Sequence, residues 1–438
     1  MRLISDAIKR SISRRTFLKG AGSMAAAPFL TGLGGALLTG CSSDAVADPT
    51  DNFNTKLVIL GSSGGVGYWP GSDRASSSSA LVVNGTIYLV DLGQGSTYRL
   101  NQAFNSASLV DQDGNYISPA SSTFLGKIKA LFFTHLHQDH IADYANLLLI
   151  GAGSNLGVPT ADNNLSATKP LQVIGPCNRG QQDICNNPYY TDDWVINAYD
   201  GTAKSTPTPG TKDMTDLIFQ AFAQAENDIM LDDGYPNYKS LVTVREIGTG
   251  LGAPDDNTCP ATGKSQIYPE GGGTDENGVS VYATLVDHRQ VYPAFAYRFD
   301  TPDGSVVFSG DTGPNTTEFR DLQEGDPRLA NGNLQNLAKG ADILVHEVID
   351  SAWINTKFPT TNALKTHMQN AHTQVERVGQ VAAWCNVKTL VLNHIVPGMA
   401  PISNLQQAQQ NFPGNLIISE DLMQIGVGAF GGVVLKKR

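Results

Sequence analysis

Ile128-Lys129-Ala130-Leu131-Phe132-Phe133-Thr134-His135-Leu136-His137-Gln138-Asp139-His140 joins an apolar run to three imidazoles and a carboxylate in six consecutive positions. The apolar run reads as a strand. Successive side chains alternate at a strand end, so His135 and His137 can both face one ion, while Asp139 and His140 follow on the turn and can face a second. A lone His-x-His is as often an adventitious surface pair as a ligand pair. His-x-His-x-Asp-His closing a hydrophobic strand is far more specific, and its spacing suits two metals a few ångströms apart.

Such a site needs further ligands and a carboxylate that bridges both ions, delivered by strand ends to one edge of a sheet. Three residues meet that description. His288 follows the alternating run 279–286, Asp311 follows the run 305–309 within Ser309-Gly310-Asp311-Thr312-Gly313, and His394 follows the run 389–392. His346 also ends an apolar run, Ile343-Leu344-Val345, and reads as structural or supporting rather than as a ligand. Only eight histidines exist in the chain, and random scatter would not place them so consistently after strands. His367 lies in a polar stretch with no motif behind it.

Together with Leu60-Gly61-Ser62-Ser63-Gly64, Arg74, the serines 76–79 and Leu89-Val90-Asp91-Leu92-Gly93-Gln94-Gly95, these motifs resemble the metallo-β-lactamase superfamily and, within it, the ribonuclease Z-like branch. The resemblance runs from about Lys56 to Val434, apart from a long insertion. It implies a four-layer αββα sandwich with an inserted arm or cap. It also implies that His135, His137 and His288 hold one metal, that Asp139, His140 and His394 hold another, and that Asp311 bridges them. The family's His-Glu pair and short His-Ser/Thr motif match His346-Glu347 and His372-Thr373. That match implies a proton relay to the leaving group, with Asp139, Glu347 and His372 as the catalytic set.

The chemistry implied is hydrolysis of a phosphodiester or sulfate ester through a hydroxide shared by two divalent ions, zinc first, with manganese or iron as alternatives. A lactonase, a ribonuclease Z-type endoribonuclease and a non-catalytic metal-containing binding protein are the other readings. Two departures narrow the choice. Asn393-His394-Ile395-Val396-Pro397-Gly398 lacks the Arg that usually follows the last ribonuclease Z histidine motif, and Asp311 stands where antibiotic-degrading branches have Cys or Ser. The stretch 287–299, with Ser309 to Thr312 after it, is also similar to exported proteins of this branch described as arylsulfatase-like.

Ser13-Arg14-Arg15-Thr16-Phe17-Leu18-Lys19 matches a twin-arginine export signal, followed by a Gly- and Ala-rich weakly hydrophobic run to Leu38. Leu38-Thr39-Gly40-Cys41 resembles a lipobox, which implies cleavage before Cys41, diacylation of that residue, and a lipid-anchored periplasmic or cell-surface protein. Residues 1–40 then form the signal, 41–54 a polar tether, and 55–438 the hydrolase domain with an insertion at about 175–277. The signal carries six Lys and Arg against one Asp. Its removal takes the chain from 30 basic and 41 acidic residues to 24 and 40, a net charge of −16. Nucleic-acid binding depends on neutralising phosphates with Lys and Arg, so this surface disfavours it and favours a small ester substrate. The sequence leaves a homodimer open.

With 41% hydrophobic residues over about 400 mature positions, the chain can bury one large core or a core with an insertion. Four cysteines remain beyond Cys41: Cys177, Cys185 and Cys259 in or beside the insertion, where a disulfide is plausible, and Cys385 in a helical pattern, where a core thiol is the ordinary reading. Within the insertion, 214–231 reads as one helix with Leu217, Ile218, Phe222, Ile229 and Met230 on a single face. That stripe packs on the core by default, or, with Phe219, Phe222 and Trp194, roofs the active site. Residues 248–278 read as loop.

Overall fold

A computed structural model describes residues 53–105, 113–115, 123–157, 167–178, 208–248, 264–289, 291, 293–314, 332–428 and 434–436. The signal, Cys41, most of the tether, Cys185, Trp194 and Cys259 lie outside these residues.

Strands with both faces buried dominate the chain. Along β1 (Thr55–Gly61), Leu57 and Ile59 enter one core and Val58 and Leu60 another; along β4 (Ile128–Phe132), Ala130 and Phe132 face one way and Leu131 the other. This two-residue period with apolar groups on both faces is what a sheet covered on both sides requires. The remaining strands are β2 (Ser78–Val83), β3 (Thr86–Val90), β5 (Leu171–Pro176), β6 (Val242–Ile247), β7 (Ser265–Tyr268), β8 (Ser280–Leu285), β9 (Phe295–Thr301), β10 (Gly304–Phe308), β11 (Ile343–Ile349), β12 (Thr389–Val396), β13 (Asn415–Ile418), β14 (Met423–Gly426) and β15 (Val434–Lys436).

They form two mixed sheets, one in the order β15-β14-β1-β2-β3-β4-β5-β6 and one in the order β13-β12-β11-β10-β9-β8-β7. The inner core lies between the sheets, where Leu57, Leu81, Tyr88 and Phe132 from the first meet Tyr297, Phe299, Phe308 and Val391 from the second. The other face of the first sheet packs under the helices Tyr144–Gly151 and Thr211–Ala221, and that of the second under Asn333–Ala338 and Val375–Cys385. The result is the expected αββα sandwich. Cys385 sits in the outer core of the second sheet, where burial pushes its thiol up to about 12.

Three readings of the sequence need correction. The single helix expected over 214–231 is two, Thr211–Ala221 and Ala223–Asp233, broken at Phe222. Its inward face is only partly as expected: Ile218 and Met230 pack against the core, but Leu217 and Phe222 do not. Phe219 is 3% exposed and packs on the first sheet, and Tyr144 and Thr215 pair at 3.0 Å through their hydroxyl oxygens, whereas Leu217 is 50% and Phe222 41% exposed. Within the first helix the buried positions Thr211, Thr215 and Phe219 recur every four residues, a face that Ile218 borders and Leu217 does not share. Phe219 therefore serves the core and does not roof a site. Second, the range read as an insertion contributes an edge strand to each sheet: β6 runs parallel to β5, and β7, inside the expected loop 248–278, pairs with β8. Third, β12 does not end at Leu392 but continues to Val396 through an irregularity opposite Glu347 and Val348, with His394 at φ 44.

Candidate metal centre

The end of β4 is tied to the second sheet by its own backbone. Phe295 N donates to Thr134 O at 2.9 Å, and the Tyr297 hydroxyl donates to Phe133 O at 2.6 Å, so the edge where His135 emerges is held against β9. His135 and His137 then face His288, with ring centroids 4.7 Å apart within the first pair and 4.9 and 5.1 Å from His288. Ligand atoms of His135, His137, His288 and Asp311 lie within 4.8 Å of one another, as do those of Asp139, His140, Asp311 and His394. All seven residues expected as ligands converge on one strand-end cleft, and Asp311 belongs to both groups.

The two oxygens of Asp311 divide the work. Oδ2 stands 3.8 Å from His135 Nε2 and 3.7 Å from His288 Nε2, while Oδ1 stands 3.3 Å from His140 Nε2 and 3.2 Å from His394 Nε2. Ligand atoms about 2 Å from one tetrahedral zinc ion stand about 3.3 Å from each other, so these spacings fit two cations sharing one carboxylate. The donor set agrees. His135 Nε2, His140 Nε2 and Asp311 Oδ1 are buried without a hydrogen-bond partner, a costly arrangement that coordination would satisfy.

Supporting contacts fix how the rings point. His140 Nδ1 lies 2.8 Å from Asp91 Oδ2, and Asp91 in turn accepts from Thr134 N and Thr134 Oγ1 at 2.8 and 2.9 Å. His288 Nδ1 donates to Ala371 O at 2.9 Å, and Gly65 N donates to Asp139 Oδ2 at 2.6 Å. Engaging the second nitrogen of a ligating histidine sets its tautomer and orientation. The loop carrying Gly65 is itself pinned by Asp421, which accepts from Ser62 N, Ser62 Oγ, Ala75 N and Arg99 Nε. Gly64 must be small, because a Cβ there would stand 2.1 Å from the His394 ring. Gly310 sits at φ 59 with Phe295 O 2.5 Å from where a Cβ would be, which lets the chain turn into Asp311.

Charge follows this geometry. Burial opposes ionisation of Asp139 and Asp311, yet for Asp139 the charge of His140 and a bond from His394, and for Asp311 the charges of His394 and His140, hold both well below the usual carboxylate range. Burial, with His140 beside it, pushes His135 well below the usual imidazole value, and burial pushes His137 and His288 down. His140 moves the other way, because Asp311, Asp91 and Asp139 outweigh its burial.

Glu347 and His372 form a third group with His394. Glu347 Oε1 accepts from Thr312 N at 3.1 Å and Thr373 N at 2.9 Å, and His372 Nδ1 lies 3.3 Å from the carboxylate and 4.0 Å from Asp311 Oδ2. Burial would lower His372, but Glu347 outweighs it and the ring is pushed up to about 9. His346 is fully buried with Nδ1 donating to Glu347 O at 2.7 Å, consistent with a structural role.

Two residues of the centre were not expected from sequence. Asp91 follows the apolar run Leu89-Val90, the same strand-end signal that Asp311 carries, and could have been found by it. His367, on the helix Ala363–Asn370, brings its ring 5.9 Å from those of both His288 and His372, and burial, with His372 and His137 nearby, lowers it to about 4. No pattern of spacing announced it.

Residues 11–31 match the family model described as the twin-arginine translocation pathway signal sequence, so the chain carries a signal for that export route. The chain is 25% identical to ribonuclease Z of Mycobacterium marinum over 377 residues, covering 85% of this chain and 99% of that one. It is 24% identical to ribonuclease Z of Mycobacterium bovis over 375 residues, covering 85% and 98%. The resemblance to the ribonuclease Z-like branch drawn from the motifs thus extends along 85% of the chain. Among solved structures, human tRNase Z, short form, aligns with a TM-score of 0.47 at 16% identity, covering 85% of this chain and 99% of that one. Zn(2+)-bound PqqB from Methylobacterium extorquens aligns at 0.45 and 13%, covering 84% and 99%. Among the described residues, no helix is long and apolar enough to cross a membrane.

Proposed function

We propose that this chain is an exported metal-dependent hydrolase that cleaves phosphodiester or sulfate ester bonds of a small substrate at a centre of two divalent ions, zinc first. The observation that carries this reading is Asp311, whose two carboxylate oxygens face two separate sets of ligand nitrogens. Bound ions would supply Lewis acidity toward the ester and a water of lowered pKa. His135, His137 and His288 would hold one of them and Asp139, His140 and His394 the other.

The remaining steps belong to protein groups. Glu347, fixed by two backbone amides, holds His372 by Nδ1 and so orients the ring toward the cleft. His372 then gives a proton to the departing oxygen, and Glu347 stabilises the charge pattern that this transfer needs. Asp139 Oδ2, anchored by Gly65 N, stands 3.1 Å from His394 Nε2 and so keeps the carboxylate turned toward the centre. Purified protein assayed on aryl phosphodiester, aryl sulfate and lactone panels is expected to show chelator-sensitive turnover on one of the first two. Equal rates after complete metal removal overturn the mechanism, and turnover confined to lactones moves the assignment to a lactonase.

Similarity to ribonuclease Z favours a second reading, a tRNA-processing endoribonuclease. The mature net charge of −16 opposes it, since no basic run outside the signal and Lys436-Lys437-Arg438 is available to neutralise an RNA backbone. Cleavage of a precursor tRNA at rates above those on small esters would reverse the order. We place the mature protein on the outer side of the cytoplasmic membrane, tethered by lipid on Cys41. Wild-type protein is expected in the membrane fraction and Cys41→Ala without lipid; equal fractionation of both removes the anchor.

A further inference from the structure

We propose that His367 is a substrate-contacting residue of this centre, its ring N–H donating to a non-bridging oxygen of the tetrahedral phosphate or sulfate group beside His372. The proposal rests on the hydrolase reading above and extends it to a residue that neither the metal groups nor the proton relay uses. Three imidazoles mark the place. His288, His367 and His372 stand at the corners of a triangle with centroid separations of 5.0, 5.9 and 5.9 Å, one corner a candidate metal ligand and one the relay histidine. The third has no such duty. His367 joins none of the ligand groups, and its ring reaches no hydrogen-bond partner among the described residues.

Its position is built rather than incidental. The helix Ala363–Asn370 is capped by Asn362, whose side chain accepts from Lys365 N at 2.8 Å, and its other end is tied to the metal-bearing loop. Arg289 Nε donates to Asn370 O at 3.2 Å, and His288 Nδ1 donates to Ala371 O at 2.9 Å. The segment that carries His367 therefore keeps register with His288 and runs directly into His372. The ring is half-buried, edge-on to His372 at 88°. Half-buried beside His288 and His372, the ring remains partly accessible to a ligand in the cleft. A neutral imidazole adds one donor to an oxyanion without adding a charge that competes with the ions.

Zinc-loaded wild type, His367→Ala, His367→Phe and His367→Gln separate the possibilities. Inorganic phosphate affinity, read by calorimetry, tests binding without turnover, and hydrolysis of an aryl phosphodiester and an aryl sulfate gives kcat and KM. Removing the donor is expected to weaken phosphate binding and kcat/KM about 10- to 100-fold in the Ala and Phe variants, with the Gln variant recovering most of the loss and zinc content unchanged in all three. Phosphate affinity kept by the Phe variant shows packing, loss of zinc in the Ala variant shows a metal-supporting role, and variants equal to an active wild type show no role. Each overturns the proposal alone. A folded wild type that takes up zinc but neither binds phosphate nor cleaves any ester overturns the hydrolase reading, and this inference with it.

Discussion

Asp91 fixes His140 through its Nδ1 and is itself clamped by the backbone and side chain of Thr134. Its φ of 57 is a conformation that Asp tolerates better than most side chains. An Asp91→Asn variant keeps the shape but weakens the charge-assisted contact that sets the ring. Its second metal is expected to bind about 10- to 100-fold more weakly in chelator competition, with the first metal little changed. Unchanged affinity at both sites would contradict the role assigned to Asp91. At this scale the sequence was informative wherever residue type coincided with position: the seven ligands and Glu347 lie at or just beyond the ends of apolar runs, His372 was legible only through the short His-Thr motif, and the structure brings them together. His367 escaped because its approach depends on how one short helix folds back over β8's end, which no local pattern encodes.

Strand alternation made the two sheets legible, because residues such as Leu57, Val58, Ile59 and Leu60 must enter different cores. β7 was not legible. Four residues, Ser265-Gln266-Ile267-Tyr268, offer too short a run to separate from loop, and their place is set by contacts distant in sequence. Asp275 supplies the most direct of these. It accepts from Tyr88 of β3 at 2.5 Å, Lys129 of β4 at 2.9 Å and Tyr268 of β7 at 3.0 Å, and from the amides of Asn277 and Val279, so it ties the two sheets together. Burial alone would raise its carboxyl, but the bonds from Tyr88, Lys129 and the two amides hold it below the usual range. A folded value below the unfolded one, about 3.9, means that the stabilisation is present above that pH and is lost as pH falls through the folded value. Asp275→Asn should therefore cost about 1–3 kcal/mol near neutral pH, with the gap from wild type closing below about pH 4. Thermal melts across pH 7 to 3 check this, and a gap that stays constant to pH 3 would contradict it.

For the molecule as a whole, a net acidic composition, an export signal and a cleft of convergent metal-ligand residues are mutually consistent. Cations bound in the proposed centre would supply locally the positive charge that the surface lacks, and the chain carries a signal for the twin-arginine route. Helix division was one part of the architecture that sequence reading misjudged, because the break at Phe222 and the burial of Phe219 become visible only once the helices pack on the first sheet. The αββα layering survives that error, since it is set by the strands of the two sheets. The whole account turns on two ions shared by one carboxylate, and the most direct measurement is metal stoichiometry by elemental analysis of protein purified without added metal, for wild type and Asp311→Asn. The expected result is two divalent ions per wild-type chain and a loss at both positions in the variant. One ion or none in the wild type, or a variant that keeps both, would contradict it.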